Sequence, residues 1–211
     1  MSLEPGVVAV VPLRDGVSGK SRLAAGLTPA ARRRLVAQLA QHVVATLRAT
    51  PEVDEVLVVT ADPAFAREVV PGVAVLAEPP GLGGLNAALD LARDAVRRRA
   101  PRATLLVAHA DLPALAPEDV TALLAEAGPA RAADVVVATD RHGTGTNLLA
   151  LPASAAYAFR FGPGSRAAHE AEAAAEGLRA AVVERPGTAA DLDTLDDWAD
   201  LPPATREALT A

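Results

Sequence analysis

The chain has 211 residues, 51% of them hydrophobic and 22% charged, and carries a net charge of −6. That is the size and make-up of one globular domain; it excludes a disordered chain, and the acidic total gives no footing for nucleic acid or a membrane surface. With no cysteine, disulfides, thiolate zinc sites and thiol nucleophiles are excluded as well. Aromatics are 2%, so Ala, Val and Leu must build the core, which suits helices packed closely on a parallel sheet. No apolar run is long enough for a membrane span, and Met1-Ser2-Leu3-Glu4-Pro5 lacks the basic start of an export signal, so a cytoplasmic protein is expected. The residues do not choose between a monomer and a homodimer.

Val7 to Val11, ended by Pro12, is a continuous apolar run and predicts a strand buried on both faces. Residues 13–27 read as loop, after which Thr28 and Pro29 supply an N-cap and a first helical position. Leu35, Leu39, Val43 and Leu47 recur every four residues, predicting a helix from 29 to about 48 with Arg32-Arg33-Arg34 as its solvated face. A strand Val56–Thr60, a short helix Pro63–Val69 and a strand Val73–Leu76 follow. After the loop Ala77–Gly84 come a helix Leu85–Arg99 and a strand Thr104–Ala108; Pro117 then opens a helix through Val120, Leu123 and Leu124. Val135–Thr139 and Leu148–Leu151 read as strands around a Gly-rich turn, Gly164–Gly177 as a helix and Ala181–Glu184 as a last strand. Two short helical stretches broken by Pro202-Pro203 close the chain. The alternation predicts a single-domain α/β fold, doubly wound, with a mostly parallel central sheet.

Ligands of such sheets bind beyond the carboxyl ends of the strands. The first end carries Arg14-Asp15-Gly16-Val17-Ser18-Gly19-Lys20-Ser21-Arg22, where glycines free backbone amides to turn toward an anion and Arg14, Lys20 and Arg22 add cations. The same composition also fits a flexible basic surface loop. Lys20 is the single lysine among nineteen arginines, a pointer to a place where a compact ammonium is needed, or chance. Gly19-Lys20-Ser21 imitates a P-loop, but the motif's first glycine would fall on Arg14, and the helix starts well after Lys20.

Asp111 ends its strand, where a carboxylate can hold Mg²⁺ against phosphate oxygens or simply cap the turn at Leu112-Pro113. Asp191-Leu192-Asp193 follows the last strand. Asp191 is the better candidate for a second ligand, because Asp193 is equally an N-cap for a helix beginning near Thr194. Asp140 to Asn147 reads as an anion cradle or an ordinary hairpin turn, and Arg160 to Arg166 as an oxyanion site at a helix start or a loop with an N-cap Ser. Tyr157, Phe159 and Phe161 form a packing cluster beneath that loop. His42 and His109 need no role beyond structure, while His169, one turn past Ser165, is placed to reach a bound anion.

Lys20-Ser21-Arg22-Leu23, Gly84-Leu85-Asn86-Ala87-Ala88-Leu89, Asp111-Leu112-Pro113, Asp140, Gly143-Thr144-Gly145-Thr146, Arg160-Phe161-Gly162-Pro163, Ser165, His169 and Asp191-Leu192-Asp193-Thr194 occur in that order. The ordered set resembles the 2-phospho-L-lactate guanylyltransferase family of coenzyme F420 biosynthesis, including its phosphoenolpyruvate-using actinobacterial members, over nearly the whole chain. The resemblance implies a GT-A-like (Rossmann-like) nucleotidyltransferase sandwich. It implies that Arg14, Gly19, Lys20 and Arg22 hold the triphosphate of GTP, that Glu78 and Asn86 bound a loop facing guanine and ribose, and that Thr146, Gly162 and Ser165 grip the acceptor. It makes Lys20, Asp111 and Asp191 the catalytic set, with Asp111 and Asp191 on Mg²⁺. One departure is Arg14, where the family often has Lys, so a planar fork replaces a point charge.

The implied reaction is transfer of GMP from GTP to the phosphate of a small phosphorylated carboxylic acid, with pyrophosphate released. That acceptor is already an anionic nucleophile, so a site of Gly, Lys, Arg, Asp and Ser/Thr suffices without a general base. Phosphoenolpyruvate, 2-phospho-L-lactate and 3-phosphoglycerate are not separated by the sequence. The alternatives are a molybdenum-cofactor or sugar-phosphate nucleotidyltransferase, whose Gly-rich first loop fits residues 13–18 poorly, and a non-catalytic nucleotide-binding protein. A Rossmann dehydrogenase is disfavoured by the missing G-x-G-x-x-G.

Overall fold

Seven strands form one sheet in the order β3-β2-β1-β4-β6-β5-β7. The structure is a computed structural model and describes residues 6–14, 27–128 and 133–208. The strands are β1 (Val7–Pro12), β2 (Glu55–Thr60), β3 (Ala74–Ala77), β4 (Thr104–Ala108), β5 (Val135–Thr139), β6 (Thr146–Pro152) and β7 (Ala180–Val183). All neighbouring pairs run parallel except those of β6, which is antiparallel to both β4 and β5. The expected mostly parallel α/β sheet is therefore present. Its exception follows from the short turn after β5, since two adjacent strands joined by so few residues must run opposite ways.

The helices are α1 (Pro29–Ala49), α2 (Pro63–Val69), α3 (Gly84–Arg99), α4 (Pro117–Glu126), α5 (Ser165–Ala175), α6 (Pro186–Ala189), α7 (Leu195–Asp200) and α8 (Pro203–Ala208). Side chains alternate across each strand, so Ala9 and Val11 of β1 join one core while Val8 and Val10 join the other. On the first face Val43, Leu47, Phe65 and Leu123 bring in α1, α2 and α4. On the second, Leu89, Val96 and Ala173 bring in α3 and α5. A third cluster of Leu35, Leu39, Leu192 and Leu201 holds the C-terminal segment against α1.

Starts and stops follow local chemistry. Thr28 caps α1, accepting from the Ala31 N–H at 3.2 Å, with Pro29 at the first helical position as expected. Differences are at the ends: β6 is longer than the expected Leu148–Leu151, β3 and β7 are displaced by one residue, and α6 was not foreseen. Four residues of sequence Pro-Gly-Thr-Ala give no periodicity to read. Gly187 within it is required by space, because a Cβ there would lie 2.6 Å from the Ala114 carbonyl oxygen. The Arg32–Arg34 run is not wholly solvated: Arg34 is exposed, but Arg33 lies 4.0 Å over the Phe65 ring and the Arg32 Nε is buried. No helix among the described residues is long and apolar enough to cross a membrane.

Candidate active site

Strand order reverses between β1 and β4, and the crevice beyond their carboxyl ends is where an open α/β sheet takes a ligand. A cleft of about 250 Å³ lies there, lined on its polar side by Arg14, His109, Asp111 and Asp193 and on its apolar side by Leu13, Val36, Leu39 and Leu85. Arg14 is exposed at the end of β1. Gly19, Lys20 and Arg22, the remainder of the expected triphosphate loop, lie outside the described residues.

Asp111 and Asp191 come together although they are far apart in the chain. The Leu192 N–H donates to the Asp111 carbonyl at 3.0 Å, tying the segment after α6 to the end of β4, and Leu192 itself is fully buried. Burial and the neighbouring Asp111 charge hold the Asp191 carboxyl above the ordinary carboxylate range, partly offset by hydrogen bonds that include one from the Asn147 amide. Asp193 is not the cap of α7. Thr194 is, accepting from the Asp197 N–H at 3.1 Å, while Asp197 Oδ2 accepts from the N–H groups of Asp193 and Thr194. Arg141 closes that arrangement with an ion pair to Asp197.

A second group of polar side chains surrounds β6 and α5. Thr146 opens β6 and Ser165 opens α5; both are buried, and Gly162, three residues before Ser165, is exposed. The Ser165 and Arg166 N–H groups donate to the carbonyls of Gly162 and Thr144, both at 3.1 Å, so much of the helix's first turn is satisfied internally. His169 does not reach toward an anion as expected, because both its ring nitrogens are engaged within the protein. Nδ1 lies 3.0 Å from Thr146 Oγ1, and Nε2 accepts from the Arg160 N–H at 3.0 Å. Burial and the nearby His109 push its pKa down to about 4. Asp140 makes the hairpin reading the correct one for its turn. Its Oδ1 accepts from the N–H groups of His142 and Thr144, and these backbone bonds outweigh burial and hold its carboxyl below the ordinary range.

Asn86 stands at the base of α3 and binds both backbone groups of Phe161: Nδ2 donates to the carbonyl at 3.1 Å and Oδ1 accepts from the N–H at 2.9 Å. It thus reaches the strap leading to Gly162. Glu78 is set apart, beyond edge strand β3, with its N–H on the Thr60 carbonyl at 2.8 Å, and it does not line the cleft. The aromatic cluster is present, with Phe159 6.2 Å from both Tyr157 and Phe161 between ring centroids.

Two residues at the centre had no role in the sequence reading. Asn147 donates to the Thr188 carbonyl at 2.7 Å, bonds Asp191, and offers its own carbonyl to the His109 N–H. His109 lines the cleft beside Asp111 and packs 5.1 Å from Phe161. The available signal for Asn147 was the alternation of a strand: with Thr146 turned toward α5, the next side chain must turn to the opposite face, where Asp191 sits.

A seven-stranded α/β sheet with carboxylates at the crevice where strand order reverses has the form of a nucleotidyltransferase. Solved structures bear this out for the fold: 4-diphosphocytidyl-2C-methyl-D-erythritol synthase matches with a TM-score of 0.64 and 16% identity, covering 98% of this chain and 100% of that one. CMP:2-keto-3-deoxy-manno-octonic acid synthetase complexed with CTP matches with a TM-score of 0.59 and 16% identity, covering 97% and 98%. A family model described as "Guanylyl transferase CofC like" matches residues 7–202, and the chain belongs to that family of nucleotidyltransferases. Among similar proteins is the phosphoenolpyruvate guanylyltransferase of Sphaerobacter thermophilus, 41% identical over 194 residues, covering 92% of this chain and 91% of the relative. The protein of the same name from Rubrobacter xylanophilus is 42% identical over 196 residues, covering 92% and 93%.

Proposed function

We propose that this protein is a GTP-dependent guanylyltransferase that transfers GMP to the phosphate of phosphoenolpyruvate, releasing pyrophosphate, as a step toward coenzyme F420. The observation that carries the reading is the approach of Asp111 to Asp191 at the strand-order reversal, in a chain whose similar relatives are named for this reaction. A phosphate oxygen of the acceptor attacks the α-phosphorus in line, the bond to the bridging oxygen breaks, and pyrophosphate departs with both electrons. No proton need be removed from the nucleophile, so the site's work is positioning and charge neutralisation.

Two carboxylates held close enough that the charge of Asp111 raises the proton affinity of Asp191 are a donor set that fits Mg²⁺, which commonly takes one or two carboxylates together with substrate phosphates and water. When bound there by Asp111 and Asp191, the ion supplies charge for the α-phosphoryl oxygens. Arg14, Gly19, Lys20 and Arg22 hold the β- and γ-phosphates, and Lys20 offsets the charge of the departing pyrophosphate. Thr146, Gly162 and Ser165 receive the acceptor. Asn86 serves the nucleotide side as well as the strap, and Glu78 is assigned to the outer rim of the guanine pocket.

The test is pyrophosphate release from GTP with Mg²⁺ and phosphoenolpyruvate, 2-phospho-L-lactate or 3-phosphoglycerate in parallel, with ATP and CTP as donor controls. Release with GTP and phosphoenolpyruvate is expected. Release with another acceptor moves the substrate within the class, whereas silence with all three from folded protein overturns the reading.

A further inference from the structure

We propose that His169 is the positioning residue of the acceptor site, holding Thr146 as a hydrogen-bond donor and fixing the strap that ends at Gly162; this rests on the acceptor reading given above. The three residues assigned to the acceptor come from three separate elements: Thr146 from β6, Gly162 from the strap and Ser165 from α5. The His169 imidazole touches all three parts. It rises from α5 one turn after Ser165, its Nδ1 meets Thr146 Oγ1 at 3.0 Å, and its Nε2 receives the Arg160 N–H at 3.0 Å. The Tyr157 hydroxyl donates to the His169 carbonyl at 3.1 Å, and the Phe161 ring meets the imidazole nearly edge-on at 4.7 Å.

These contacts assign the ring's proton. A backbone N–H can donate to Nε2 only if that nitrogen is bare, so a neutral ring carries its hydrogen on Nδ1 and donates it to Thr146 Oγ1. The threonine's hydrogen is then directed away from the ring. A fully ionised phosphate or carboxylate has acceptors and no donors, so a hydroxyl serves it only in that orientation. The other tautomer would point two N–H groups at each other and let Thr146 spend its hydrogen on the imidazole. Complete burial keeps the ring neutral, since a charged imidazole would pay for desolvation and collide with the Arg160 N–H.

Around this ring the strap is gripped from both sides. Glu172 of α5 accepts from the Ala158 N–H at 3.0 Å and pairs with Arg160 at 2.8 Å, while Asn86 of α3 holds Phe161. A histidine placed solely to fill core volume would not need both nitrogens directed at substrate-bearing elements.

The experiment compares wild type with His169→Phe, which keeps a ring against Phe161, and His169→Asn, whose amide can replace Nδ1–H toward Thr146. For His169→Phe the expected result is a rise of about tenfold or more in acceptor KM with GTP KM within about twofold. His169→Asn is expected to recover part of that loss. Thr146→Val should give a similar rise, and the double variant His169→Phe/Thr146→Val should be no worse than either single change. Histidine ¹⁵N NMR on ligand-free wild type should show the Nδ1–H tautomer for His169 and needs no variant to fold. Unchanged acceptor KM in folded His169→Phe, equal rises for both substrates in that variant, or an Nε2–H tautomer in wild type would each overturn the inference. Wild type that is silent with GTP and every acceptor would instead remove the functional reading on which it rests.

Discussion

On the β1–β4 side of the crevice, two carboxylates of like charge approach one another and one of them is pushed toward protonation by burial and by its neighbour. On the β6–α5 side, a buried imidazole, a threonine, a tyrosine hydroxyl, the Arg160 N–H and the His169 carbonyl are joined in hydrogen bonds of 3.0–3.1 Å. The row His109, Phe161, His169 runs between them with ring centroids 5.1 and 4.7 Å apart. The first side stores repulsion that a cation with its bound phosphates can relieve; the second has its geometry fixed before any ligand arrives. Binding energy is needed to neutralise charge on one side, and little is needed to order groups on the other.

Substitutions should separate the two sides. The largest effect is expected for Asp111→Asn or Asp191→Asn: turnover falls by about 10³-fold or more, because charge neutralisation at the α-phosphate is lost. Thermal unfolding of the same metal-free variants should show unchanged or slightly higher stability, by roughly 0.5–1 kcal/mol, since a like-charge contact has been removed. A clear loss of stability would mean that the carboxylates are structural.

His169→Phe should do the reverse, costing stability in the folded protein as well as acceptor binding. Its signature is the pH dependence. The native ring has a pKa of about 4 against an ordinary 6.5, so between those values the unfolded chain takes up a proton that the native state refuses. Stability from this group is complete above pH 6.5 and is lost as pH falls toward 4. Denaturant titrations should show wild type losing about 2–3 kcal/mol more than His169→Phe across that window, at ~1.4 kcal/mol per unit. Parallel curves for the two proteins would rule out a buried neutral imidazole.

Asn86→Ala leaves the Phe161 N–H and carbonyl without their side-chain partner. An equilibrium unfolding measurement should read a loss of about 1–2 kcal/mol. The kinetic effect should fall on both KM values, the acceptor's through the loosened strap and the GTP's through the nucleotide side; if GTP KM moves alone, Asn86 acts on the nucleotide and not on the strap. The smallest effect is expected for Thr194→Ala, which removes the cap of α7 at a cost of about 1 kcal/mol. Its check is a differential-scanning comparison with Thr28→Ala, the corresponding cap of α1.

Much of the parallel half of the fold was legible because each strand is an apolar run ended by a turn residue and each long helix repeats at three or four residues. Val7–Pro12, Thr104–Ala108 and Pro29–Ala49 fall close to where that patterning puts them. Asp111 was legible as a carboxylate at the end of a buried strand. Its partnership with Asp191 depends on a main-chain bond between Leu192 and Asp111, which no periodicity encodes. His169 was singled out, but with its hydrogen bonds pointing the wrong way, because spacing places it one turn from Ser165 without saying that β6 and the strap take up both nitrogens. Asn147 and His109 were passed over for the same reason: their partners arrive from other strands.

The bond from Leu192 to Asp111 also sets an order of events in the making of the protein. During synthesis from the amino end, Asp111 is placed just after β4 long before Asp191 exists, and every strand of the sheet precedes Asp191 too. Until the segment after β7 docks its leucine and Thr194 caps the helix that follows, Asp111 has no partner carboxylate from Asp191. The pair can thus form only once the chain beyond residue 190 has been made and has docked, and a protease cutting near residue 190 would separate Asp191 and the Leu192 anchor from the sheet that carries Asp111.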